Sequence, residues 1–214
     1  FLSGYRSDME GTKALYLEQE CKKREQSFLR FDYSGHGQSE GLFEEGMIST
    51  WYDDTQERIN SLIKSPIVLV GSSMGGWISL LLGKNHSKNV AAIIGIAAAP
   101  DFTHDIETAL DNNQKEELNK NGYVEIGNDY SDEPYVFTKA FLDDGKEKCL
   151  LDKEIDINVP VVLIQGMKDE DVPWQKAFRI KNAIGSNADV VLIETGDHRL
   201  STPENLSLLN QQVE

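Results

Sequence analysis

Apolar positions in this chain fall either into short continuous runs or into stripes at helical spacing, and the two kinds alternate. Ile67-Val68-Leu69-Val70 is a β-branched run of strand length, and beyond a break of small residues Trp77, Ile78, Leu80, Leu81 and Leu82 continue as a buried helix. The pairing of strand with helix recurs. Phe28-Leu29-Arg30-Phe31 reads as a strand, followed by a turn-rich loop from Asp32 to Gly41 and a helix with Trp51, Ile59, Leu62 and Ile63 inward. Val90 to Ala99 is a further strand-like run that ends at Pro100. The strand Val161 to Gln165 precedes a helix from Trp174 to Ile184, and Val190 to Ile193 precedes a last helix from about Pro203. Near the start, Ser3-Gly4-Tyr5 reads as a turn, and Asp8 is placed to cap a helix to about Lys22 with Ala14, Leu15, Leu17 and Cys21 on its apolar side. Phe1-Leu2 resembles the tail of another strand, so the N-terminal strands, and any targeting peptide, are expected to precede this sequence.

Such alternation predicts an α/β fold, a mostly parallel sheet with helices on both faces. Residues 1–214 are expected to form a single domain. From Asp101 to about Asn158 the pattern turns polar and helical, with a possible short hairpin around Tyr123 to Asp129 and a helix from Val136 to Lys146. A connection of this length predicts a lid over the C-terminal edge of the sheet, inserted at about 101–158.

Composition narrows the partners. Lys and Arg number 21 against 36 Asp and Glu, a net charge of −15 that repels phosphate backbones and anionic membranes, so nucleic acid is not expected as a partner. No run of ~18 apolar residues is present, and no integral membrane segment is expected. Cys21 and Cys149 stand alone, without zinc-type spacing or a disulfide framework, so a reduced compartment such as the cytoplasm is the default. Neither a cofactor nor a metal is implied by any motif. The expected partner is a small-molecule or acylated substrate.

The break after Val70 carries the chemistry. Gly71-Ser72-Ser73-Met74-Gly75 fits G-x-S-x-G, a sharp strand-to-helix turn that lifts one serine above a sheet. The register selects Ser73, because for Ser72 the first glycine position would fall on β-branched Val70. A serine hydroxyl needs a base to take its proton and an acid to hold that base. Both have places in order: Gly166-Met167-Lys168-Asp169-Glu170-Asp171 follows the strand after the lid, and Asp197-His198-Arg199 follows the last strand. Asp169 is the first choice of acid, Asp171 the second, and Glu170 reads as solvated. His36, His86 and His104 read as loop, helix-end and lid residues, and Asp197 as a turn residue. The Met74 and Tyr5 N–H groups are the candidate oxyanion donors. In the lid, Phe102, Val136, Phe137 and Phe141, with Leu110, Leu118 and Tyr123 nearby in sequence, form either an acyl pocket or the seat of the lid on the core.

Over its whole length the chain resembles the α/β-hydrolase superfamily, and more narrowly the mitochondrial hydrolases that act as palmitoyl-protein thioesterases and acyl-glucuronide esterases. The resemblance rests on Gly11-Thr12-Lys13-Ala14-Leu15, Arg30-Phe31-Asp32-Tyr33-Ser34-Gly35, Val70-Gly71-Ser72-Ser73-Met74-Gly75-Gly76-Trp77, Gly166-Met167-Lys168-Asp169, Val172-Pro173-Trp174 and Asp197-His198-Arg199. It implies Ser73 as nucleophile, Asp169 as acid and His198 as base, acting on a palmitoyl-type thioester or another carboxylic ester. It also implies a mitochondrial location in a eukaryote. A short-chain carboxylesterase is the alternative within the class, and a non-catalytic ligand-binding homologue the alternative outside it.

Overall fold

The computed structural model describes residues 1–85, 89–128 and 134–214. Helix α1 (Thr12–Lys23) is followed, after a long loop and a 3-10 turn at Phe43–Glu45, by α2 (Ile48–Leu62), β1 (Ile67–Ser72), α3 (Met74–Lys84) and β2 (Val90–Ile96). Then come α4 (Phe102–Ala109), α5 (Asn112–Asn121), β3 (Tyr123–Ile126), β4 (Tyr135–Thr138) and α6 (Lys139–Glu147). The pattern closes with β5 (Val161–Gly166), α7 (Gln175–Ile184), β6 (Ala188–Ile193) and α8 (Pro203–Val213).

The main sheet has the order β1-β2-β5-β6 with every pair parallel. Leu2 adds one parallel bridge beside β1, its amide donating to Val70 O at 2.8 Å and its carbonyl accepting from Ser72 N at 3.0 Å. Strand alternation sends successive side chains to opposite faces and so divides the core in two. Leu69, Ile93 and Leu163 pack with Trp51, Trp77, Ile78 and Ile180, under α2, α3 and α7. Their neighbours Val70, Ile94 and Ile164 pack with Leu17, Leu206 and Leu209, under α1 and α8. Helix α3 is buried all round, which explains why its apolar residues form a block rather than a stripe.

Four local expectations are corrected. Phe28–Phe31 forms no strand ladder: beside it lies Phe1, whose amino nitrogen donates to Leu29 O at 2.6 Å, and one contact is not a ladder. Helix α1 begins behind Gly11 without a side-chain cap; the Asp8 carboxylate instead accepts the Glu10 amide, 2.8 Å away, in a turn ahead of the helix. Leu62 closes α2 on its outer side and is exposed, because the inward stripe is Ile48, Trp51, Thr55 and Ile59. The helix expected from Val136 starts at Lys139. Tyr135–Thr138 is a strand paired antiparallel with Tyr123–Ile126, and the Thr138 hydroxyl caps α6 by accepting from Phe141 N at 3.1 Å. The expected hairpin exists with this later second strand; Asp129, and His86 after α3, lie outside the described residues.

Candidate active site

Ser73 sits between β1 and α3 with φ 53° and ψ −115°, a backbone state that costs a non-glycine residue on the order of 1–3 kcal/mol. The surroundings impose it. Ser73 N donates to Ile96 O at 2.9 Å, and its carbonyl accepts from Gly76 N at 2.9 Å and Ala99 N at 3.1 Å. Close backbone approach does the rest: a Cβ on Gly71 would lie 2.2 Å from Gly75 O, and one on Gly75 would lie 2.1 Å from Leu2 O. Those two glycines are therefore required by space, and the turn leaves Ser73 half-buried between buried Ser72 and Met74. Met74 opens α3, so its N–H is one of the helix's unpaired amides at the positive end of its dipole. The Ser3–Tyr5 loop passes over the serine, with the Cβ position of Gly4 3.4 Å from Ser73 Cβ.

Asp169 and His198 come together on the same edge, from the loops after β5 and β6. Asp169 Oδ2 accepts from His198 Nδ1 at 2.9 Å and from Gln165 Nε2 at 2.8 Å, while Oδ1 accepts from Val172 N at 2.8 Å and Asp171 N at 3.0 Å. The Asp169 side chain is wholly enclosed and that of His198 is 20 % exposed. With Nδ1 facing a carboxylate, the histidine's Nε2 is the nitrogen left for other work. The two loops are stitched by Lys168 N donating to Gly196 O at 2.8 Å, across a seam where a Cβ on Gly166 would lie 2.3 Å from that oxygen. Among the described residues Ser73 makes no hydrogen bond to His198. Asp169, Asp171 and His198 do present ligand atoms within 4.8 Å of one another. Four hydrogen bonds already saturate Asp169, however, so this cluster is built as an orienting carboxylate rather than a cation cage. Asp171 and Glu170 are exposed.

The loop that passes over Ser73 carries an aromatic cluster on Tyr5. The Tyr5 ring stands among Phe43, Phe141, Phe137, Phe102, Trp51 and Tyr135, with centroids 4.8 to 6.0 Å away. Burial pushes its phenol well above the ordinary value of 10. Phe137 and Phe141 are buried and Phe102 half-buried against Trp77. Val136 is the correction: on β4 it faces away from Tyr135 and Phe137, since strand neighbours alternate. Tyr135, missed in the sequence reading, takes that place, and the signal was the alternation Tyr-Val-Phe-Thr. Arg6, also at positive φ (54°), lays its guanidinium over Phe43 and Tyr135 at 5.1 and 5.3 Å. His36 lies in the turn-rich loop expected of it and is buried there against Tyr33, Phe43 and Trp51; its Nε2 has no partner among the described residues, and burial lowers its pKa below 6.5. His104 is exposed on α4, and Asp197 accepts from Leu200 N at 2.9 Å, the turn role expected of it.

A family model described as serine aminopeptidase, S33 matches residues 7–120, a span that includes the Ser73 elbow and ends before Asp169. The chain belongs to this hydrolase family. Mouse palmitoyl-protein thioesterase ABHD10, mitochondrial, is 36 % identical over 211 residues, 98 % of this chain and 71 % of that protein. Among solved structures, a putative hydrolase from Agrobacterium vitis S4 superposes with a TM-score of 0.94 at 40 % identity, covering 100 % of this chain and 86 % of the other. The mouse α/β-hydrolase domain-containing protein 10 does so with 0.93 at 34 % identity, with the same coverage. This α/β-hydrolase thus has the fold read from its sequence and is a hydrolytic enzyme. The mammalian names place those relatives in mitochondria and lend no support to the cytoplasmic default. No helix of the described residues is long and apolar enough to cross a membrane.

Proposed function

We propose that this hydrolase cleaves carboxylic thioesters or esters of long acyl chains through an acyl-Ser73 intermediate. The observation that carries the reading is the enclosed Asp169–His198 hydrogen bond, on the sheet edge where the Ser73 elbow stands. Asp169 holds the imidazole with Nδ1 protonated, so Nε2 is free to take the Ser73 proton as Oγ attacks the acyl carbon. The carbonyl oxygen gains charge and is stabilised by the Met74 and Tyr5 N–H groups. The imidazolium then returns its proton to the departing sulfur or oxygen, and water, deprotonated by the same nitrogen, releases the acid and frees Ser73.

Residues 1–214 are read as one domain, with 101–158 as its lid, and Phe102, Phe137 and Phe141 as walls of an acyl pocket facing Tyr5. A palmitoyl thioester is the substrate class named for the ABHD10 relatives, and long apolar chains suit an aromatic lining. We adopt a mitochondrial location on the same likeness, for a eukaryotic source.

A fluorophosphonate probe is expected to add to Ser73 in the wild type and not in Ser73→Ala. Intact protein that gains no mass would leave a ligand-binding homologue in its place. Substrate class is set by kcat/KM from acetyl to palmitoyl thioesters below micelle-forming concentrations. Each methylene entering an apolar pocket adds up to ~0.8 kcal/mol, a several-fold rise per carbon until the pocket is full. A profile that falls after butyryl would make the enzyme a short-chain esterase.

A further inference from the structure

The loop that carries His198 is gripped from outside the triad. Lys13, in the first turn of α1, donates from Nζ to the carbonyl of Arg199 at 2.5 Å, across 186 positions of sequence. Arg199 is the residue after His198, so the ammonium holds the peptide next to the imidazole. The turn it holds is tense: Leu200 has φ 47°, is fully buried, and donates its amide to Asp197 Oδ1 at 2.9 Å. Ser201 Oγ also donates to Arg199 O, at 2.9 Å, but it belongs to the same loop and cannot anchor that loop to the core. Lys13 can, because α1 is seated on the sheet by Leu17, which packs in one cluster with Leu200, Leu206 and Leu209.

We propose that Lys13 is a positioning residue for His198: by holding the Arg199 carbonyl it keeps the turn 197–200 in register, with Nδ1 on Asp169 and Nε2 turned to the elbow. This rests on the triad reading above. The loop is also held on one side of the imidazole by the Lys168 N–Gly196 O bond and on the other by buried Leu200, and Lys13 grips the peptide between them; an error of ~1 Å in a proton acceptor is worth up to ~10²-fold in rate. The charges acting on Lys13 are Asp197, which favours the ammonium, and Arg199, which opposes it. Desolvation is the largest effect and, together with Arg199, outweighs Asp197 and lowers the lysine to about 8, so its charge is lost as pH rises through about 8.

The test is the rate of fluorophosphonate labelling of the whole chain, followed by intact mass from neutral to alkaline pH. Lys13→Met should slow labelling about 10- to 100-fold, while Lys13→Arg, which keeps a permanent cation, should restore most of it. The wild-type rate should decline toward the methionine variant's as pH rises through about 8, whereas the arginine variant should show no decline there. A lysine that only stabilised the fold would not move that limb. Thermal unfolding checks each variant; if the methionine variant does not fold, the alkaline comparison of wild type with Lys13→Arg decides alone. Labelling of Lys13→Met at the wild-type rate, or an unchanged alkaline decline in Lys13→Arg, overturns the proposal while the triad stands. A wild type that never labels removes both.

Discussion

The sheet edge and the ring layer are built by opposite means. On the edge, position comes from backbone: glycines pressed to carbonyl oxygens, a serine forced to positive φ, a carboxylate with every lone pair used. In the layer around Tyr5, position comes from side chains that fill space at ordinary aromatic distances. Backbone contacts admit one arrangement, whereas packed rings accept substitution by neighbours of similar volume. The edge should therefore be intolerant and the layer adjustable.

The sharpest test of that contrast is Asp169→Asn, expected to lower kcat by ~10³ to 10⁴ with the fold retained, the scale of losing a triad carboxylate. Asp171→Asn, on the exposed side of the same loop, should cost far less; the reverse ranking in steady-state kinetics would move the acid. Next is Gly75→Ala. Its methyl would lie 2.1 Å from Leu2 O, so denaturant unfolding should register a loss of ~3 kcal/mol or more, beyond ordinary overpacking. Phe137→Leu should cost only ~1.5 kcal/mol or less in the same assay and instead shift the preferred acyl length. A loss there as large as at Gly75 would erase the distinction between the two regions.

The smallest effect belongs to His36, on the floor of the ring layer. Its pKa is below 6.5 in the fold because burial disfavours the charged ring, so as pH falls below about 6.5 the unfolded chain takes the proton first. Stability conferred by the neutral ring is full above that pH and is lost as pH falls toward the folded value. His36→Phe should flatten this part of the melting-temperature profile relative to wild type; an identical profile would mean that the ring is solvated on protonation.

What could be read from sequence divides along the same line. Elements of the edge announce themselves because their physics is local: β-branched runs for β1, β5 and β6, glycines where backbones touch, and chain order for the serine, acid and histidine. The ring layer depends on contacts between distant segments, so the local pattern points to Val136 where Tyr135 faces the rings, and predicts a helix where β3 provides a partner for β4. Gln165 and Lys13 were missed because nothing local marks a glutamine that donates to Asp169 or a helix lysine that reaches Arg199.

Tyr5 belongs to both regions. Its amide lies on the loop that crosses Ser73, and its ring is the meeting point of Phe102, Phe137 and Phe141. Any repacking of the layer that tilts this ring also pulls on the strand of backbone above Ser73. Selection for a new acyl chain at these positions would then be pleiotropic, altering turnover along with preference. Lineages that change substrate should carry paired changes, one in the lid and one compensating near Tyr5, rather than lid changes alone.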